Sequence, residues 1–180
     1  MHGIIFSELN KYVLARWDEA LWEQVLIKSA LEGKNYLIKE KYQDKDLLAL
    51  IKALEEVSQL SSTELLKDFG CFIVPDLLQL YGAVISADWK TLDLLANTEK
   101  TIHKIVRMKT PGSSPPMLTC KRKNAREVLI HYDSPRKLCA LAEGIIQGVA
   151  NNYDEQITIS QQQCMHKGDL QCLISVTLNS

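Results

Sequence analysis

A predicted junction between a strand and a helix reads YDSPR over residues 132–136. It offers two hydroxyl groups and one guanidinium, a combination that binds carboxylates such as haem propionates. Earlier in the chain, the segment TIHKI over residues 101–105 places a histidine in an apolar helical pattern. A neutral imidazole is a common axial ligand of haem iron. Together the two segments indicate a porphyrin site with the metal ligand at one end and the carboxylate contacts at the other.

Both segments also have ordinary structural explanations. In the ordinary explanation of the first segment, His103 is a half-buried helix residue whose ring hydrogen-bonds a backbone carbonyl. Ser134 and Pro135 fit the N-cap and the first position of a helix that begins near Arg136. A cation in the first turn opposes the helix dipole, so Arg136 needs an anionic partner. That partner is either Asp133 or a carboxylate of a ligand.

The length and composition of the chain indicate one globular domain. The chain has 180 residues, of which 46% are hydrophobic, enough for a sizeable core. Its net charge of −1 gives no general affinity for nucleic acid. We find no signal-peptide pattern and no apolar run of the ~18 residues that a membrane span needs. Five cysteines, an odd number, favour reduced thiols and a cytoplasmic location.

Helices are expected over the first two-thirds of the chain. Asp18 is a predicted N-cap, and a further helix is expected to begin near Asp44. Ser61 and Glu64 have the spacing of a capping box that opens the next helix. Pro75 is expected to kink or divide that helix.

The periodicity changes after a break at residues 111–116. A last helix before this break is predicted over residues 90–108. Two hairpins, over residues 117–132 and 156–178, then flank a helix over residues 136–151. The predicted fold class is therefore α+β, with a helical N-terminal part followed by a β-β-α-β-β antiparallel sheet portion.

The Tyr-x-Ser-x-Arg pattern at residues 132–136 follows a helix histidine, a Pro-Pro pair lies between them, and the chain begins Met-x-Gly-Ile-Ile. With these features in this order, the chain resembles the haem nitric oxide/oxygen-binding (H-NOX) family, in its bacterial stand-alone form. The resemblance covers essentially all residues and implies a fold that encloses a haem. It further implies a mobile helical subdomain over about residues 1–60 and a haem-ligating subdomain over about residues 61–180.

Residue roles follow from the resemblance. His103 would be the proximal ligand of a b-type haem, which is not covalently attached because no Cys-x-x-Cys-His motif occurs. Pro116 would press on the porphyrin from one side, and Ile5 would pack on the other. The residues implied to hold the propionates are Tyr132, Ser134 and Arg136.

The residues on the side of the haem opposite His103, called the distal pocket, decide which gas is bound. Oxygen-binding members of the family place a tyrosine donor there, and the resemblance assigns that position to Leu141. In those members, polar residues at two further positions support the tyrosine, and these positions correspond to Leu9 and Ile73 here. None of these three side chains can donate a hydrogen bond, which bound O₂ needs and bound NO does not. We therefore expect binding of NO and CO without a stable oxygen complex.

The resemblance implies a sensor without turnover. Binding of NO would weaken the bond between the iron and His103, relax the haem against Pro116 and Ile5, and shift the N-terminal helices. The expected partner that receives the signal in trans is a histidine kinase or a diguanylate cyclase. An enzyme is not expected because the sequence has no Gly-rich phosphate loop, nucleophile elbow or paired metal-binding motif.

Three cysteines form a second candidate site. Thiolates of Cys139, Cys164 and Cys172 could hold a tetrahedral zinc ion. Relatives with such a cluster add a histidine at a position that is Gln161 here, and His166 is a possible substitute. The alternatives are three small core residues without metal, or a haem-free interaction module in which the cluster is a zinc or thiol redox switch.

Overall fold

A computed structural model describes residues 1–110 and 112–179; Pro111, the first residue of the predicted break, and Ser180 lie outside them. The first helices are α1 Gly3–Arg16, α2 Glu19–Lys28, α3 Asp44–Ser58, α4 Ser62–Phe72 and α5 Val74–Tyr81. They are followed by α6 Thr91–Asn97, a π-helical turn Glu99–His103, and α7 Lys104–Lys109. The remaining elements are β1 Met117–Asn124, β2 Glu127–Asp133, α8 Cys139–Asn152, β3 Ile157–Gln163 and β4 Cys172–Leu178. This order confirms the predicted α+β class.

Local signals define several helix boundaries as predicted. The carboxylate of Asp18 accepts a hydrogen bond from the backbone N–H of Leu21 at 2.8 Å. The backbone N–H of Ser61 donates to Glu64 at 2.9 Å, and the Glu64 N–H donates back to the Ser61 hydroxyl at 3.2 Å. Pro75 lies in the first turn of α5, where its missing N–H costs nothing. Helices α4 and α5 are therefore separate, as the proline indicated.

The four strands form one antiparallel sheet in the order β1-β2-β4-β3. Buried and less buried side chains alternate along β2, as expected for a sheet with one covered face. The buried side chains of β2 and β4 pack with residues of α6 and α8. The buried members on these two strands include Val128, Ile130, Tyr132, Ile174 and Val176.

Helices α4 and α8 pack with their backbones in contact. A Cβ atom added to Gly144 of α8 would overlap the carbonyl oxygen of Lys67. One turn later, a Cβ added to Gly148 would lie 2.9 Å from the carbonyl oxygen of Cys71. Glycine permits this approach because it has no side chain. The contact holds the helical part of the chain against α8, which itself packs on the sheet.

The hydrophobic core has two main parts. Helices α1 to α4 surround the first, in which Phe6, Tyr12, Leu54 and Phe69 are fully buried. The second lies between the sheet, α6 and α8. Because α4 contributes to the first part, that part extends beyond residue 60. The division into a mobile subdomain over residues 1–60 and a second subdomain over residues 61–180 stays a prediction.

The prediction that a helix begins near Arg136 with Ser134 as its N-cap is wrong. Helix α8 begins three residues later, at Cys139. Lys137 has a φ angle of 52°, and this left-handed conformation cannot continue into a right-handed helix. The Ser134 hydroxyl accepts a hydrogen bond from the Arg136 N–H at 3.3 Å and stabilises a turn instead. The helix-dipole argument for Arg136 therefore does not apply.

Within residues 1–110 and 112–179, we find no helix that is both long enough and apolar enough to cross a bilayer.

Candidate functional site

An apolar cavity of about 240 Å³ lies between the helical part and the sheet. Its wall is formed by side chains from α1, α5, α6, α7, α8 and three strands, and from the segment before β1. Most of these side chains are aliphatic; examples are Ile4, Leu77, Leu95, Ile102, Ile145 and Ile174. A cavity with such walls suits a largely apolar ligand.

His103 enters the cavity wall from the π-helical turn. Its backbone N–H donates to the carbonyl of Thr98 at 3.0 Å, which is the i→i−5 bond that defines such a turn. The sequence predicted a helix over residues 90–108, and the structure has helical backbone there whose middle residues form this π-helical turn. Turns of this type occur frequently at functional sites, and this one sits where the candidate metal ligand is.

The His103 ring has a charged partner. Its Nδ1 atom lies 2.9 Å from Oε2 of Glu99, and Oε1 of Glu99 lies 2.7 Å from a guanidinium nitrogen of Arg107. The backbone N–H of Leu118 donates to the same Oε2 at 3.1 Å. Sequence reasoning missed Glu99, although its position four residues before the histidine was a usable signal.

These contacts and burial set the protonation states. Burial lowers the pKa of His103 below its ordinary value, against the opposite effects of Glu99 and the Pro116 backbone. Burial alone would raise the pKa of Glu99, but hydrogen bonds from Arg107 and His103 outweigh it and bring that pKa below its ordinary value. At neutral pH the pair is therefore a neutral imidazole beside an ionised carboxylate.

A few polar side chains also line the cavity. Tyr132 and Arg136 both line it, and burial raises the pKa of the Tyr132 phenol. The guanidinium of Arg136 donates to Asp44 at 3.0 Å and to the backbone carbonyl of Ser114. Ser134 is buried but is not part of the lining. The partner of Arg136 is therefore Asp44, at the start of α3, and not its neighbour in sequence.

The Ser113 hydroxyl is available to a carboxylate-bearing ligand. Its hydroxyl is buried in the cavity wall and has no hydrogen-bond partner among the described residues. A buried hydroxyl without a partner is unfavourable unless a ligand supplies one. An imidazole, apolar walls, an arginine and an unpaired hydroxyl in one cavity fit a haem.

The predicted distal residues fall into two groups. Leu9 and Ile73 are fully buried in the core of the helical part and do not line the cavity, whereas Val74 does. Tyr81 also lines it, and its hydroxyl makes no hydrogen bond to any residue that the structure describes. Burial raises the pKa of Tyr81, so it stays a neutral donor. The residues singled out from sequence that do line the cavity on its apolar sides are Ile5, Pro116 and Leu141.

The three cysteines meet at a separate place. Their sulfur atoms all lie within 4.8 Å of one another, and all three residues are buried. Burial raises the pKa of the Cys172 thiol to about 12. The His166 ring bonds the carbonyl of Lys137 at 2.7 Å. The side-chain nitrogen of Gln161 is buried without a partner in the described part of the chain.

The chain matches the family model described as "Haem-NO-binding" over residues 2–161. It is similar to the solved structure of an H-NOX protein from S. oneidensis in the Fe(II)NO ligation state, with 26% identity, a TM-score of 0.93 and 100% of each chain covered. The Fe(II)CO structure of the S. oneidensis H-NOX domain shares 26% identity and has a TM-score of 0.89, covering 100% of this chain and 99% of that one.

A curated relative is the soluble guanylate cyclase gcy-32 of Caenorhabditis elegans. It is 21% identical over 168 residues, which is 90% of this chain and 25% of the cyclase. The chain thus spans about a quarter of the length of the curated relatives it matches.

Proposed function

The chain belongs to the haem-NO-binding family of haem-based gas sensors, and we propose that it binds NO and CO and signals to a separate partner protein. The observation that carries the proposal is His103 in the wall of an apolar cavity that Arg136 also lines. An imidazole and a guanidinium in the wall of one cavity match the metal and the propionates of a haem.

The cofactor in this proposal is a non-covalent haem b with His103 as its protein ligand. Arg136 and Tyr132 would contact the propionates, and the Ser113 hydroxyl is free to join them. Ser134 would act indirectly, because its hydroxyl holds the Arg136 backbone in the turn. Burial keeps His103 neutral, which is the form that binds metal.

Preference for NO and CO follows from the apolar part of the cavity wall. When bound, the haem iron supplies the position for the gas. Leu141, Val74 and Ile5 offer no hydrogen-bond donor there. The related S. oneidensis H-NOX structures were solved in the Fe(II)NO and Fe(II)CO ligation states. Tyr81 is the candidate donor in this wall.

Signalling would begin at His103 and end in the N-terminal helices. His103 is tied through Glu99 to β1, which directly follows Pro116. On the other side, Ile5 belongs to α1, which packs in the core of the helical part. Release of His103 would let Pro116 and Ile5 shift against the cofactor and would move α1 with residues 1–60. A histidine kinase or a diguanylate cyclase in trans is the proposed receiver.

The cysteine cluster would be an auxiliary zinc site. Three sulfur atoms within 4.8 Å suit tetrahedral coordination, and a fourth ligand is needed. The haem-free alternative, in which this cluster is the functional site, is not favoured, because the family match spans residues on both sides of the cavity.

Absorption spectra of the protein purified from haem-replete cells test the function. We expect a Soret band that shifts with NO and with CO on the ferrous protein. In His103→Gly, added imidazole should restore the spectrum, whereas NO should no longer change the activity of the partner. A protein that stays colourless after reconstitution with hemin would contradict the proposal.

A further inference from the structure

We propose that Glu99 is a positioning residue that fixes the tautomer of His103 and strengthens its bond to the haem iron. The inference rests on the proposed function, in which His103 is the ligand. In that function, NO would act on the bond between His103 and the iron, and Glu99 would help to set the strength of this bond.

The geometry selects one tautomer of the ring. Oε2 of Glu99 lies 2.9 Å from Nδ1 of His103. An ionised carboxylate can only accept hydrogen bonds, so Nδ1 carries the proton. The lone pair is then on Nε2, the ring nitrogen on the far side from Glu99. Nε2 is therefore the ligand atom, and the ring does not have to change tautomer when it binds metal.

Glu99 is itself held from three directions. Arg107 of α7 lies 2.7 Å from Oε1, the Leu118 N–H of β1 donates to Oε2 at 3.1 Å, and His103 is the third contact. Both carboxylate oxygens are therefore occupied, and the group is fixed between two helical segments and a strand. A fixed acceptor holds the imidazole in one orientation before any ligand arrives, which is the role of outer-shell partners in metal sites.

The charge on Glu99 should also change the electronic properties of the ligand. A carboxylate that accepts from Nδ1–H raises the basicity of the other ring nitrogen. A more basic imidazole binds iron more strongly and stabilises the ferric state relative to the ferrous state. A hydrogen bond from Nδ1–H to a neutral amide would raise the basicity of the other ring nitrogen less, and would strengthen the bond to iron less. Glu99 and His103 are the first and last residues of the π-helical turn, and His103 lines the cavity.

The test uses the haem-loaded protein and the isosteric variant Glu99→Gln. We expect the Fe(II)–His stretching band in the resonance Raman spectrum to move to lower frequency. The midpoint potential should become more positive, and haem should transfer to apomyoglobin roughly 10- to 100-fold faster. The matched control is Glu127→Gln, because Glu127 is a similarly shielded carboxylate on β2 that bonds Lys123 and Ser175 away from the cavity.

A second measurement remains informative if Glu99→Gln retains haem poorly. In His103→Gly, imidazole can donate N–H to Glu99, whereas 1-methylimidazole has no N–H to donate. We expect imidazole to bind more tightly than 1-methylimidazole by roughly tenfold or more with Glu99 present. The double variant His103→Gly/Glu99→Gln should lose most of this difference.

The two proposals fail differently. A wild-type ferrous protein with haem but without an Fe–His stretching band overturns the assignment of His103, and the role of Glu99 with it. If the band is present but Glu99→Gln matches Glu127→Gln in frequency and potential, only the role of Glu99 is overturned.

Discussion

The guanidinium of Arg136 donates a hydrogen bond to the carboxylate of Asp44 at 3.0 Å, which joins the turn after β2 to the start of α3. The same carboxylate accepts from the N-terminal ammonium of Met1 at 2.8 Å. The residue proposed to hold the haem propionates is thus also a contact between the C-terminal and N-terminal parts of the chain. Propionates and Asp44 would share one guanidinium, which couples cofactor position to α3.

The Asp44 contacts should make stability depend on pH. Burial alone raises the pKa of Asp44, but the ammonium and Arg136 outweigh it and lower that pKa. A lowered native pKa contributes stability that is present above the unfolded value of about 3.9 and is lost as pH falls through the native value.

Asp44→Asn should therefore lower the free energy of unfolding by about 1 kcal/mol or less at neutral pH, because the carboxylate is partly exposed and screened. The difference from wild type should shrink below about pH 4. Urea titrations at several pH values measure this. Asp133→Asn, beside Arg136 in sequence but not bonded to it, is the control and should behave as wild type. A constant difference across pH would contradict the prediction.

Gly144→Ala should destabilise the protein, because the added methyl group overlaps the carbonyl oxygen of Lys67 and separates α4 from α8. Overpacking of this kind costs about 1–3 kcal/mol, which urea unfolding followed by circular dichroism can measure. Gly82→Ala is the control, since a Cβ there meets nothing within 4 Å. Equal stabilities of the two variants would show that the close helix contact is not required.

Two substitutions test the gas preference of the pocket. Leu141→Tyr places a donor in the apolar wall and should slow both O₂ loss and oxidation of the ferrous protein. Tyr81→Phe removes the phenol that lines the cavity and should leave NO and CO binding unchanged. Stopped-flow and autoxidation rates test both variants. A long-lived oxygen complex in the wild type that disappears in Tyr81→Phe would instead make Tyr81 the donor and contradict the preference proposed for this pocket.

Zinc content tests the cysteine cluster. Protein purified under mild conditions should contain zinc that Cys172→Ala loses, and Gln161→His should hold the metal more tightly against a chelator by adding a fourth ligand. Elemental analysis measures the content. Cys71→Ala, which alters a thiol outside the cluster, is the control.

Without metal, the raised pKa of about 12 predicts slow alkylation of Cys172 near neutral pH. Rapid alkylation in a zinc-free protein would contradict the assigned environment.

Sequence alone determined the features that depend on neighbours within about one helical turn. The Asp18 and Ser61 caps, the division at Pro75 and the two hairpins were predictable because their signals are local. The family pattern also identified His103 and Arg136 as the residues of interest. The Glu99–His103 pair was accessible from its spacing but needed the structure to show that the two side chains contact each other and that His103 lines the cavity.

Tertiary structure decided everything that depends on distant segments meeting. The partner of Arg136 is Asp44 rather than Asp133, α8 begins after the left-handed Lys137, and Val74 rather than Ile73 lines the cavity. The Arg136–Asp44 contact joins segments far apart in the chain, which side-chain spacing does not encode. Local preferences therefore specified the elements, and the mutual packing of helices and sheet specified the site.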